Sequence, residues 1–228
     1  MSEEYFIDED FDYFYNKGFG PAIASEPVSE ETLAKYRGRL PDKLLEYWQK
    51  VGFSGWGDGR FWIVNPEEYE DVLAAWFANI ELPAGEEYFV IARTAFGVLY
   101  VWGTIHGRCF AIDAHANNIF PKMKVTPKEK QDSALQIFFS SKTKNGEDYY
   151  DDSDKLLFER VLKKLGPVNK NEMYAPNIAP VLGGRCGIRT IVKKPIISHL
   201  LYLAELEPPR MMMDIVQHVK DLGLDDKF

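Results

Sequence analysis

Apolar residues recur along this chain first at helical spacing, then at strand spacing, then at helical spacing again. Ser29 suits a helix N-cap, and Glu30 and Glu31 follow in the dipole-favoured first turn. Leu33 and Tyr36 open an apolar face. Leu40-Pro41 restarts a helix, with Leu44, Leu45, Trp48 and Val51 on one side and Gly52 as its stop. Ser54-Gly55-Trp56-Gly57-Asp58-Gly59 reads as a tight glycine loop, and Phe61 to Val64 as a buried strand. Asn65-Pro66-Glu67-Glu68 is a helix start, with Asn65 as cap, Pro66 at the first position and Glu68 placed to bond back to the cap. Tyr69, Val72, Leu73, Trp76 and Phe77 continue that helix.

From Tyr88 the period shortens. Tyr88 to Thr94, Val98 to Gly103 and Cys109 to Asp113 predict three strands, and the short connections between them predict an antiparallel meander. Beyond Pro121 helical spacing returns at Ala134 to Phe139 and around Leu156 to Lys164, the latter ended by Gly166-Pro167. The Pro- and Gly-rich stretch Met173 to Gly187 predicts loop, Ile188 to Val192 a last strand, and Pro195 to Leu206 and Met211 to Leu222 helices. The expected fold is α+β, a central antiparallel sheet flanked by amphipathic helices in two closely packed lobes. Residues 1–120 form the first lobe and 121–228 a mainly helical second one, divided at the Pro/Lys-rich segment 121–130.

Charge refines this picture. The first dozen residues hold six carboxylates and no Lys or Arg, interleaved with Tyr5, Phe6 and Phe11 and followed by Tyr13, Phe14 and Tyr15. Such aromatics need a surface, so a short helix or arm docked on the body is expected. Residues 1–120 hold 20 acidic and 9 basic residues, and residues 121–228 hold 15 and 18, for net charges of −11 and +3. An acidic first half argues against nucleic acid as partner and is compatible with a basic protein. No apolar run approaches the ~20 residues of a membrane helix, no secretory leader is evident at Met1, and two distant cysteines, Cys109 and Cys186, build no disulfide framework. A cytoplasmic protein is expected.

Chemical motifs are sparse. The 55–59 loop runs from a helix into a strand, opposite to a phosphate-binding loop, and lacks the Gly-Lys-Ser/Thr ending. Gly52-Phe53-Ser54-Gly55-Trp56 fails as a nucleophile elbow, because Trp56 stands where glycine is needed. Asp113, His115 and Asn117 lack the partners of a metal site, and His106, His199 and His218 stand singly. Cys109 reads as a core thiol, and Cys186 beside Arg185 lacks a placed base. No catalytic residue, metal or cofactor is therefore assigned. Trp56 sits outside any period, which fits either an exposed binding anchor or a lid folded onto the core. With Asp58, Glu67 and Glu70 it makes the candidate partner-binding set, whereas Glu68 reads as a cap.

Leu40-Pro41, Leu44-Leu45, Tyr47-Trp48, Gly52-Phe53, Gly59 through Pro66, and Tyr69 together resemble the GAD-like domain. Phe96-Gly97, Leu99-Tyr100, Trp102-Gly103, Pro176-Asn177, Ala179-Pro180, Leu182-Gly183-Gly184, His199-Leu200 and Leu203 to Leu206 resemble the C-terminal domain of Tdi-type immunity proteins. A looser likeness is to the SMI1/KNR4 superfamily. The resemblance spans roughly residues 5–210 and implies a non-catalytic antitoxin that binds a cognate type VI secretion toxin, typically a DNase. The alternatives are a small-molecule-binding regulatory module using the 55–59 loop, and a hydrolase centred on Asp113 and His115.

Overall fold

The structure, a computed structural model, describes residues 6–121 and 125–212. Seven α-helices are described: α1 (Glu9–Asp12), α2 (Glu30–Tyr36), α3 (Asp42–Val51), α4 (Glu70–Phe77), α5 (Gln131–Ser140), α6 (Phe158–Leu165) and α7 (Ile196–Leu206). The strands are β1 (Ala24–Glu26), β2 (Phe53–Trp56), β3 (Phe61–Ile63), β4 (Tyr88–Thr94), β5 (Val98–Gly103), β6 (Gly107–Asp113), β7 (Asn118–Pro121), β8 (Glu172–Pro176), β9 (Ile191–Pro195) and β10 (Arg210–Met211). Eight of them form one sheet in the order β1-β2-β3-β4-β5-β6-β7-β10, and β8 and β9 form a hairpin beside it. Every pairing is antiparallel except β10 with β7, so the expected antiparallel sheet is in fact mixed.

The sheet separates two cores. On one face α1, α3 and α5 bury an aromatic cluster of Phe11, Phe14, Tyr47, Trp48, Phe61, Phe138 and Phe139. On the other, α4 and α7 pack over Val90, Leu99, Val101 and Ile112, and the Trp76 indole N–H donates to the Leu200 carbonyl at 3.1 Å. A third cluster under α6 joins Phe96 to Phe158, Val161 and Tyr174. The N-terminal arm docks as its aromatics require. Asp8 caps α1 by accepting from Phe11 N–H and receives the Tyr47 hydroxyl at 2.9 Å. A π-helical turn over Tyr13–Phe19 then carries Phe14 and Phe19 inward.

Several sequence expectations are corrected. Ser54 to Trp56 is strand β2, because its backbone pairs with both β1 and β3. Met173 to Pro176, expected as the start of a loop, belongs to strand β8, held by β9 along its whole length. The strand expected at Ile188 to Val192 is β9, which begins three residues later at Ile191 and is followed by β10. Met211 belongs to β10, not to a helix, Met212 N–H donates to the Ile119 carbonyl, and residues 213–222 of that expected helix, with His218, lie outside the described residues, as does Tyr5. α5, expected in the second lobe, packs into the aromatic core with Phe11 and Phe14, so the two halves of the chain share a core.

Candidate functional site

The β2–β3 hairpin positions the first candidates. Its tip has Gly57, Asp58 and Gly59 all at positive φ (57°, 59° and 88°). The glycines take this conformation freely, and Asp58 is among the few L-residues that tolerate it. A Cβ on Gly59 would lie 2.5 Å from the Val168 carbonyl, and one on Gly55 would lie 2.7 Å from the Trp62 ring. The loop is thus packed against protein where a small ligand would need space. Asp58 projects at the tip, exposed, with no hydrogen bond or ion pair to another described residue.

Trp56 is the main correction. It is 0% exposed, with Phe11 and Phe14 packed edge-on at 6.2 and 5.5 Å. Its alternation in β2 turns it to the aromatic core, so it is the lid and not a surface anchor.

Glu67 and Glu70 lie beyond the other end of β3. Asn65 Oδ1 accepts from Glu67 N–H, and Pro66–Tyr69 forms a 3₁₀ turn before α4. Both glutamates are exposed and share Lys35, at 3.1 and 3.2 Å. Hydrogen bonding to Glu67 leads the causes that raise the Lys35 pKa. The bond expected from Glu68 back to the cap is not the one seen here; Glu68 instead lines a narrow cleft with Glu26 and Lys170. Strand β3 stands between Asp58, in the turn that precedes it, and Glu67 and Glu70, which follow it. The structure therefore makes an acidic edge with two stations, not one cluster.

The histidine and cysteine candidates are committed to structure. Asp113 accepts from the backbone of His115 and Ala116 and from the Tyr149 hydroxyl. His115 is buried, and its Nε2 lies 3.1 Å from the Tyr174 carbonyl. Asn117, at φ 54°, donates its amide to the Glu207 and Pro208 carbonyls. Asp113, His115 and Asn117 thus tie the first half of the chain to the second. Among the described residues no group of three or more His, Cys, Asp or Glu is placed to hold a metal ion. Burial raises both thiols to about 12, which keeps Cys109 and Cys186 protonated and unreactive at neutral pH.

His115 and His199 face each other at 6.4 Å between ring centroids. Burial lowers the pKa of both, that of His199 to about 4. A group whose folded pKa is depressed below 6.5 binds more protons when unfolded, so its contribution is complete above 6.5 and lost as pH falls toward 4. His199→Leu should therefore flatten the stability loss between pH 6.5 and 4.5 in urea titrations. A variant that loses stability as steeply as the wild type would contradict this assignment.

Residues 10–116 match the GAD-like domain family, and residues 132–207 match the family described as T6SS immunity protein Tdi1, C-terminal. Phe96 to Gly103, grouped above with the second family, falls within the first. The chain thus joins a GAD-like domain to a Tdi1-type immunity domain, which places it with the type VI secretion immunity proteins. Its fold is shared with the crystal structure of Atu4351 from Agrobacterium tumefaciens, with a TM-score of 0.76 and 24% identity over 85% of this chain and 88% of that one. No curated protein matches it. Among the described residues no helix is long and apolar enough to cross a membrane.

Proposed function

We propose that this protein is a cytoplasmic antitoxin that neutralises a cognate type VI secretion toxin, a DNase, by binding it without catalysis. The carrying observation is the immunity-domain match over residues 132–207. The nuclease assignment draws its support from charge. A DNase presents a basic surface to its substrate, and the acidic first half of this chain exposes Asp58, Glu67 and Glu70. Asp58 has no ion pair with a described residue, so no neighbouring cation among them offsets it. Glu67 and Glu70 together carry two negative charges against one Lys35, and they steer the encounter less strongly.

The test is association with the product of the adjacent toxin gene. Asp58→Lys with Glu70→Lys should slow kon about tenfold at low salt and flatten its salt dependence, with thermal stability unchanged. Unchanged kon would remove the acidic edge from the interface. DNA cleavage by the isolated toxin, suppressed by equimolar antitoxin, checks the nuclease assignment. A toxin that leaves DNA intact would refute it.

A further inference from the structure

The turn between β8 and β9 carries a feature that the acidic edge does not explain. Ile178, Val181 and Leu182 are 57%, 38% and 55% exposed, three large apolar side chains within five residues. Ile178 lines a groove of about 370 Å³ whose charged lining residues are Arg185 and Arg189, and Leu182 immediately precedes Gly183 and Gly184 of the same lining. Isolated surface apolar residues need no explanation, but a contiguous group beside a groove marks an interaction surface.

The two arginines are available. Neither side chain has a hydrogen bond or ion pair with a described residue, although ion pairs occupy Arg39, Arg60 and Arg160 elsewhere in the fold. Asp152, the acidic neighbour of this turn, is held by Cys186 N–H at 3.1 Å. The groove is also preformed. Gly183 takes the left-handed conformation, and Gly184 N–H and Leu182 N–H both donate to the Ala179 carbonyl. Asn177 N–H donates to the Thr190 carbonyl, and the Thr190 hydroxyl donates to the Arg185 carbonyl at 2.6 Å. A backbone fixed this way loses little further entropy on binding.

We infer that this groove is a second docking surface, taking an acidic segment of the toxin whose carboxylates pair with Arg185 and Arg189 and whose apolar side chains cover Ile178 and Leu182. The inference rests on the antitoxin reading. Charge complementarity selects the occupant. Guanidinium groups are permanently charged and bind carboxylates in a bidentate fork, and the half of the chain that carries them is net positive. The toxin would then be held at two places, its basic surface at the acidic edge and an acidic segment here. Each contact alone can be weak when both are made at once.

The experiment measures binding of the adjacent toxin gene's product to wild type, to Arg185→Glu with Arg189→Glu, and to Leu182→Ser. The double reversal should weaken Kd at least tenfold, mainly through koff, with Tm unchanged because neither side chain has a partner among the described residues. Leu182→Ser should weaken it severalfold on its own. A folded double reversal that binds within twofold of wild type overturns the proposal. So does loss of a wild-type dimer by the same variant with toxin binding intact, which would make the groove a contact between copies. Failure of the wild type itself to bind the toxin refutes the antitoxin reading, and the docking surface falls with it.

Discussion

Arg60→Ala should destabilise the protein by about 3–5 kcal/mol, the cost of leaving a buried charge without its partner. Arg60 leaves the β2–β3 hairpin and crosses into the second half of the chain. Its guanidinium pairs with Asp148 at 3.0 Å, donates to the Lys144 carbonyl at 2.8 Å, and stacks 3.9 Å from the Phe158 ring. The side chains of Arg60 and Asp148 are 3% and 2% exposed, so neither charge can recover its hydration. The Glu159 bond at 2.5 Å adds less, because that carboxylate is 74% exposed and screened. Asp148 is committed twice over, since its other oxygen accepts from the backbone of Tyr149, Leu157 and Phe158 at the start of α6. Urea denaturation of Arg60→Ala, Asp148→Asn and the double variant checks this. Effects that simply add would show that the two side chains do not act as a pair.

Trp56→Ala should cost about 3–5 kcal/mol through the cavity it opens in the aromatic core. The loss should appear first in the N-terminal arm, because Phe11 and Phe14 rest on that ring. Limited proteolysis should cut near the 13–19 turn in the variant before the rest of the chain opens. Trp56→Phe should be far milder. It keeps most of the apolar volume and removes an indole N–H that has no hydrogen-bond partner among the described residues. Toxin binding by Trp56→Phe should equal wild type. A tenfold loss of affinity with unchanged stability would return Trp56 to the interface.

The local signals in the sequence were those set by near neighbours. Ser29 does cap α2, accepting from Thr32 N–H, and Gly52 ends α3 at φ 68°. The three strands of the meander lie at the expected places, because alternating apolar residues and short turns leave few other pairings. The docked acidic arm was legible because Phe11 and Phe14 are too apolar to stay in water. The family motifs were legible for a similar reason, being packing and turn residues fixed by the same core.

Long-range contacts settled what those signals left open. Whether Trp56 covered the core or faced solvent depended on Phe11 and Phe14, more than forty positions away in sequence. β8 contains a proline and precedes a glycine-rich turn, and only the partner β9 makes it a strand. The ionic tie from Arg60 to Asp148 spans 88 residues and follows no spacing rule. The same holds for the candidate surfaces. Sequence marked Asp58, Glu67 and Glu70 as acidic, but strand β3 set the distance between them, and Lys35 on α2 partly neutralised two of them. Composition likewise counted Arg185 and Arg189 among the basic residues. Which basic side chains are left unpaired beside an apolar groove is decided by where the carboxylates fold, and that is a property of the tertiary structure alone.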